Sequence, residues 1–255
     1  MPFSGLLWFI SLLLPLVFLQ RLLHREIQAV FLIVTRNPQL TVGLFSILFF
    51  PGVFLHELSH FVMAKLLRVR TGNFSLIPAS LPDGRLQMGY VETEQTDIIR
   101  DSLIGLAPLI AGSSFIAYAG ISHMQLHTLW DVLRHGQIDL FWMGVGLLPT
   151  VKDFYLWFYL AFTVSSTMMP SESDRHAWLP LGVWAAVLFA LAIIVGAGAW
   201  MLNNLAPFLN NFLGAVATLF GLSIVLHLAL ILPTIMTHHL VSRITGVDIR
   251  QDQQG

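Results

Sequence analysis

Three ionisable side chains lie close together in an otherwise apolar stretch of the chain. His56, Glu57 and His60 form the pattern His-Glu-x-x-His within FFPGVFLHELSHFVMAKLL. On a helix, residues four apart share a face, so both imidazoles can bind one Zn²⁺ ion. Glu57 lies beside His56 around the helix and can accept a proton from a water on that ion. The pattern predicts a hydrolytic zinc site with Glu57 as general base.

A catalytic zinc site needs a third protein ligand and an open position for water. The candidates further along the chain are Glu172, Asp174, His176, His227, His238 and His239. Asp174 follows an apolar segment at about residues 154–169, and His60 lies near the end of another at about residues 40–67. If the apolar segments are membrane helices, a single crossing separates these two, so they run in the same direction and both side chains should reach the same membrane face. We therefore predict Asp174 as the third ligand, with Glu172 as the alternative.

The composition is typical of a membrane protein. Of the 255 residues, 56% are hydrophobic and only 11% are charged, whereas about a quarter are charged in soluble domains. The long apolar stretches are apolar all round, which predicts an all-α integral membrane protein in a lipid bilayer. A net charge of -1 argues against a nucleic-acid partner. The lack of cysteine excludes disulfides and thiolate zinc ligands.

Six apolar segments predict six transmembrane helices, because each approaches the length needed to cross about 30 Å of hydrocarbon. They run approximately over residues 3–19, 40–67, 102–121, 154–169, 179–202 and 211–236. Residues 20–39 are compatible with an interfacial helix or with a loop that dips into the membrane. Residues 122–152 favour a connecting loop with an interfacial helix.

The stretch after the His-Glu-x-x-His helix, residues 69–95, predicts a β-hairpin. A turn sequence, Pro-Asp-Gly, precedes alternating Leu86, Met88 and Tyr90. The edge of such a hairpin can pair with an unwound substrate as an added strand. A capping loop without substrate contact is the equally weighted alternative.

Three motifs share one part of the chain: HELSH at 56–60, IGLAPLIAG at 104–112 and TMMPSESD at 167–174. Together they resemble the site-2 protease family of intramembrane zinc metalloproteases. The second motif is similar to the family's Ala-Gly-Pro stretch, and the third is similar to its Asn-x-x-Pro stretch leading to Asp-Gly. The resemblance covers about residues 40–174. It implies a three-helix protease core that holds Zn²⁺ and cleaves transmembrane protein substrates.

The third motif departs from the family pattern in three places. Thr167 stands where the family has Asn, so Ser166 or Thr167 is expected to take over substrate binding or oxyanion support. Arg175 stands where the family has Gly, and the spacing from Pro170 to Asp174 is about one residue shorter. These departures keep Glu172 open as the alternative ligand.

The chain is predicted to have three parts. Residues 1–39 form a membrane anchor and interfacial segment, residues 40–174 the protease core with the hairpin insert, and residues 175–255 two transmembrane helices and a short tail. The distribution of Lys and Arg favours a cytoplasmic N-terminus. We therefore expect a multi-pass protein of the cell (inner) membrane with the site nearer the cytoplasmic face.

Two other functions compete with proteolysis. One is a proteolytically inactive zinc-binding scaffold subunit of a membrane complex. The other is a metal transporter, which should have polar groups along several helices. The third segment and the middle of the fifth contain almost none, which argues against a transporter. Glu57 favours the protease, since a structural zinc site needs no general base. Substrate identity and oligomeric state are left open.

Overall fold

The computed structural model describes residues 4–80 and 86–247 and is predominantly helical. The helices are α1 Ser4–Thr35, α2 Pro38–Leu66, α3 Ile98–Tyr118, α4 Leu126–Arg134, α5 Ile138–Leu147, α6 Phe154–Thr167, α7 Trp178–Ile194, α8 Gly198–Trp200 and α9 Ala206–Thr245. π-Helical turns follow α3 at Ala119–His123 and α8 at Met201–Leu205, and a 3₁₀ turn follows α5 at Leu148–Thr150. The strands are β1 Thr71–Ser75, β2 Ala79–Ser80, β3 Leu86–Gln87 and β4 Tyr90–Thr93.

Within the described ranges, four helical stretches are long and apolar enough to cross a membrane. They are Ser4–Thr35, Pro38–Leu66, Ile98–His123 and Gly198–Thr245. The fourth and fifth predicted segments fold as α6, of 14 residues, and α7, of 17 residues. Both are shorter than the ~20 residues of a full crossing. The structure thus fits a multi-pass membrane protein with four full-length helices.

The first helix is longer than the sequence predicts. α1 continues without a break to Thr35, so residues 20–35 form neither a separate interfacial helix nor a loop dipping into the membrane. A sharp connection follows, and α2 begins at Pro38 with Asn37 as its N-cap. The Asn37 side chain accepts hydrogen bonds from two backbone N–H groups of the first turn. Pro38 lacks an N–H, but at the first position of a helix that group would have no helical partner. Residues 122–152, predicted as a connecting loop with an interfacial helix, contain two short helices, α4 and α5.

Two nested antiparallel pairs confirm the predicted hairpin. Strand β1 pairs with β4, with Thr71 opposite Thr93 and Ser75 opposite Tyr90, and with an irregular register between them. Inside this pair, β2 pairs with β3. The predicted Pro-Asp-Gly turn lies outside the described residues.

Small residues let the helices that surround the site approach closely. Helix α2 packs against both α3 and α6, and α1 packs along α9. A Cβ atom on Gly52 of α2 would overlap the Thr163 carbonyl of α6. Lipid tails are as apolar as the core side chains, so close packing contributes more to helix association than burial from water does. Gly52 therefore helps to bring α2 and α6 together at the depth of the site.

Candidate metal centre

Two histidines and one carboxylate meet at a single point. His56 and His60 are one turn apart on α2, and their Nε2 atoms lie 3.2 Å apart. Asp174, in the turn after α6, places Oδ1 3.2 Å from His60 Nε2 and Oδ2 3.6 Å from His56 Nε2. Donors around a tetrahedral ion with bonds of about 2.0–2.1 Å lie about 3.3 Å from one another. The spacing of the three donors therefore fits one bound metal ion.

The orientation of both imidazole rings also fits a metal ion. His56 Nδ1 donates to the Thr167 carbonyl at 2.7 Å, and His60 Nδ1 donates to the Ile104 carbonyl at 2.9 Å. A neutral imidazole that donates through Nδ1 presents a lone pair at Nε2. The two Nε2 lone pairs cannot hydrogen-bond to each other. A cation between them can bind both lone pairs and the Asp174 carboxylate. Carbonyl partners on Nδ1 are typical of metal-binding histidines.

The carbonyl that holds His56 is available because α6 ends there. Thr167 is the last residue of α6, and the final carbonyls of a helix have no partner within it. The His56 imidazole supplies that missing donor. The negative end of the α6 dipole also faces this side of the site, which favours a nearby cation.

The carbonyl that holds His60 is available because of a proline. Pro108 lies four residues after Ile104 inside α3 and has no N–H to donate to it. The Ile104 carbonyl is therefore left free of its helical bond and accepts from His60 instead. In the sequence, this proline is part of the motif IGLAPLIAG. Its four-residue offset from Ile104 is the signal that could have predicted the support of the His60 ring.

A tight turn holds Asp174 against α3. The Ser171 N–H donates to Asp174 Oδ2 at 2.7 Å, and the Asp174 N–H donates back to Ser171 Oγ at 3.2 Å. The Asp174 carbonyl packs on Gly105, where a Cβ atom would overlap it. Burial acts to raise the pKa of Asp174, but the two adjacent histidines and the Ser171 N–H outweigh it and hold the pKa well below its usual range. Asp174 is therefore a charged donor at neutral pH.

Glu57 and strand β4 share a cavity with the three donors. The cavity has a volume of about 1160 Å³ and is lined by His56, Glu57, His60, Asp174 and the strand residues Tyr90–Thr93, among others. Glu57 is 8% exposed. The backbone at Gly89, just before β4, lies against it, since a Cβ atom there would be 2.9 Å from Glu57 Cγ. A buried carboxylate and a strand thus border the same space as the metal donors.

The other predicted site residues occupy different positions around this cavity. The Thr167 hydroxyl donates to the Thr163 carbonyl of its own helix at 3.0 Å, so Thr167 contributes through its carbonyl. The Ser166 hydroxyl lies 3.0 Å from His227 Nε2. Glu172 is exposed and lines the cavity, but it is not one of the three grouped donors.

The remaining candidate histidines have other partners. His176 Nε2 lies 3.5 Å from Asp101 Oδ2, at the rim of the cavity. His238 pairs with the buried Glu26 of α1, and the ring of His239 stacks on that of His238. Of the six candidates for the third ligand, the structure brings Asp174 to the two histidines of α2.

Comparisons of the chain with models of protein families, with curated proteins and with solved structures find no match. The site-2 protease resemblance therefore stays a prediction drawn from three motifs.

Proposed function

We propose that this chain is a zinc-dependent endopeptidase that hydrolyses a peptide bond within or near a transmembrane segment of a membrane-protein substrate. The observation that carries the proposal is the convergence of His56, His60 and Asp174 on one point, with Glu57 in the same cavity. Two histidines and one carboxylate form a known donor set of catalytic zinc, which leaves a fourth position open. The apolar helices support a substrate that is itself in the membrane.

The proposal assigns different roles to the metal ion, to Glu57 and to the carbonyls that hold the two histidines. Zinc, when bound, supplies the Lewis acidity that makes water a usable nucleophile near neutral pH. Glu57 borders His56 and faces the cavity, so its carboxylate is placed to accept a proton there and return it to the leaving amine. The Thr167 and Ile104 carbonyls keep the two Nε2 atoms turned toward the cavity.

Strand β4 supports a way to present the substrate. A peptide bond in a helix is shielded by its own hydrogen bonds and must be unwound before it is cut. Residues Tyr90–Thr93 line the cavity, and β1 pairs with one side of this strand. An unwound substrate segment can add to the sheet as a further strand, which would place its backbone beside Glu57.

The donor set favours the protease over an inactive scaffold. Structural zinc sites usually have four protein ligands and no open position. Here the described residues group three donors, and a buried carboxylate with no place in that group lies next to them. Such an arrangement favours a catalytic zinc site with Glu57 as general base over a structural zinc site.

Glu57→Gln tests the proposal with little change in side-chain size. We expect the purified full chain to retain zinc, measured by elemental analysis. Cleavage of a model transmembrane peptide in vesicles should fall at least ~10²-fold, the typical contribution of a general base. Glu94→Gln is the matched control, because Glu94 is exposed and is not among the residues lining the cavity. Cleavage by Glu57→Gln at the wild-type rate would contradict the mechanism.

A further inference from the structure

The last turn of α6 is held from three sides by other helices. Gln20 of α1 donates through Nε2 to the Ser165 carbonyl at 2.6 Å. His227 of α9 lies 3.0 Å from the Ser166 hydroxyl. The next residue, Thr167, accepts from His56 Nδ1 at 2.7 Å. Three consecutive residues thus link α1, α9 and the metal-binding helix α2.

The direction of the hydrogen bond at His227 follows from its other nitrogen. His227 Nδ1 donates to the Ser223 carbonyl at 2.7 Å, one turn earlier on α9. A neutral ring then accepts at Nε2, so the Ser166 hydroxyl must be the donor. Both side chains are buried, with His227 0% and Ser166 6% exposed. In an apolar interior this bond has no water to replace it, so it restrains Ser166.

The bond at Gln20 satisfies a carbonyl that α6 cannot satisfy itself. Ser165 is in the final turn of α6, where carbonyls have no N–H four residues ahead within the helix. The Gln20 side chain, 6% exposed, supplies the donor. A side chain of α1 therefore caps the C-terminal end of α6, the helix that leads into the turn with Asp174.

We propose that Gln20 and His227 are positioning residues of the metal centre. They fix the last turn of α6 and thereby the Thr167 carbonyl, which sets the ring orientation of His56. This inference rests on the metal site proposed above and extends it to α1 and α9, outside the predicted core of residues 40–174. The two flanking helices are then parts of the site and not only membrane anchors.

A purely structural role predicts a different result from a positioning role. If these bonds only stabilise the bundle, removing them lowers the melting temperature and leaves the metal complex of the folded protein unchanged. If they orient His56, the folded protein binds metal more weakly and with altered geometry. Co²⁺ separates the two roles, because its visible absorption reports on coordination geometry as well as affinity.

The experiment titrates Co²⁺ into the metal-free full chain in detergent. Ser166→Ala removes one hydroxyl, His227→Leu removes the acceptor, and Gln20→Met removes the donor at similar length. Each should weaken Co²⁺ binding about threefold to tenfold and shift the visible bands. The effect should be smaller than the ~10–100-fold loss for groups that contact a metal ligand directly. His227→Gln offers an amide oxygen to Ser166 and should restore both affinity and spectrum.

Ser113→Ala is the matched control. Ser113 is a buried serine of α3 whose hydroxyl has no hydrogen-bond partner within the described part of the chain. Its Co²⁺ complex should equal that of the wild type. Wild-type affinity and spectrum in both Ser166→Ala and Gln20→Met would overturn the positioning role alone. Failure of the wild-type chain to bind Co²⁺, or full binding by His56→Ala, would overturn the metal site and the positioning role together.

Discussion

Gly105→Ala should disturb the metal centre although it introduces no chemistry there. The new Cβ atom would overlap the Asp174 carbonyl oxygen and lie 2.9 Å from the carbonyl carbon. Nonbonded carbon contacts prefer about 3.5–4.0 Å, so this carbonyl must move by on the order of 1 Å. Metal–ligand distances tolerate only about 0.2 Å. The turn would therefore carry the Asp174 carboxylate out of bonding range unless its side chain readjusts.

The expected loss of zinc affinity is about 10–100-fold, the range seen when the support of a ligand is removed. Competition with a chromophoric chelator measures it on the detergent-purified full chain. The melting temperature of the metal-free protein, recorded in parallel, separates loss of the ligand from loss of the fold. Peptide cleavage at saturating zinc should recover in part, because excess metal compensates for weak binding.

Gly43→Ala is the control for the glycine change itself. Gly43 also lies inside a helix, α2, and a Cβ atom there has nothing within 4 Å. Alanine should stabilise that helix by roughly 0.5–1 kcal/mol and leave zinc affinity unchanged. If Gly105→Ala binds zinc as tightly as Gly43→Ala does, the contact with α3 does not hold Asp174 in place.

Three further predictions address the donors and their supports. Pro108→Ala restores a backbone N–H that competes with His60 for the Ile104 carbonyl. The melting temperature should rise while zinc affinity falls severalfold. Unchanged zinc affinity would refute the role of the proline. Asp174→Asn should lose zinc in elemental analysis because a neutral amide is a poor ligand, whereas Glu172→Gln should retain it; the reverse pattern would identify Glu172 as the ligand. Because the pKa of Asp174 is held below its usual range, this carboxylate should stay charged as the pH falls from about 7 to 5. The loss of zinc affinity in Asp174→Asn relative to the wild type should therefore be the same at about pH 5 as at about pH 7, and a smaller difference at the lower pH would show that the carboxylate titrates there.

The sequence predicts the parts of the site that are fixed by helical periodicity and by the alternating direction of successive segments. Helical periodicity places His56 and His60 on one face of α2. Because one crossing separates the segment that contains His60 from the segment before Asp174, both residues are expected at the same side of the bundle. The structure groups Asp174 with the two histidines. Both inferences need only that the segments be helices with regular alternation of direction. Neither needs the packing angle of any pair of helices.

The course of residues 20–39 could not be predicted for a physical reason. Arg21, Arg25 and Glu26 are costly in hydrocarbon, so a local pattern favours an interface or a loop over a continuous span. In the structure Glu26 is buried in α1 and pairs with His238 of α9, while Arg25 Nη2 lies 3.2 Å from the same carboxylate. One partner of this buried carboxylate, His238, is 212 residues away in the chain. No window along the sequence contains both members of the pair.

The supports of the metal ligands show a second limit of sequence patterns. A pattern shows which side chains can bind zinc, but the atoms that aim them here are backbone carbonyls, which every residue has. A carbonyl becomes a useful acceptor only where its helix leaves it unpaired, at a C-terminus or four residues before a proline. Thr167 is the first case and Ile104 the second. The position of Pro108 could therefore have been translated into a support for His60. The use of Thr167 depends on where α6 ends, and helix ends are the least predictable feature of a sequence.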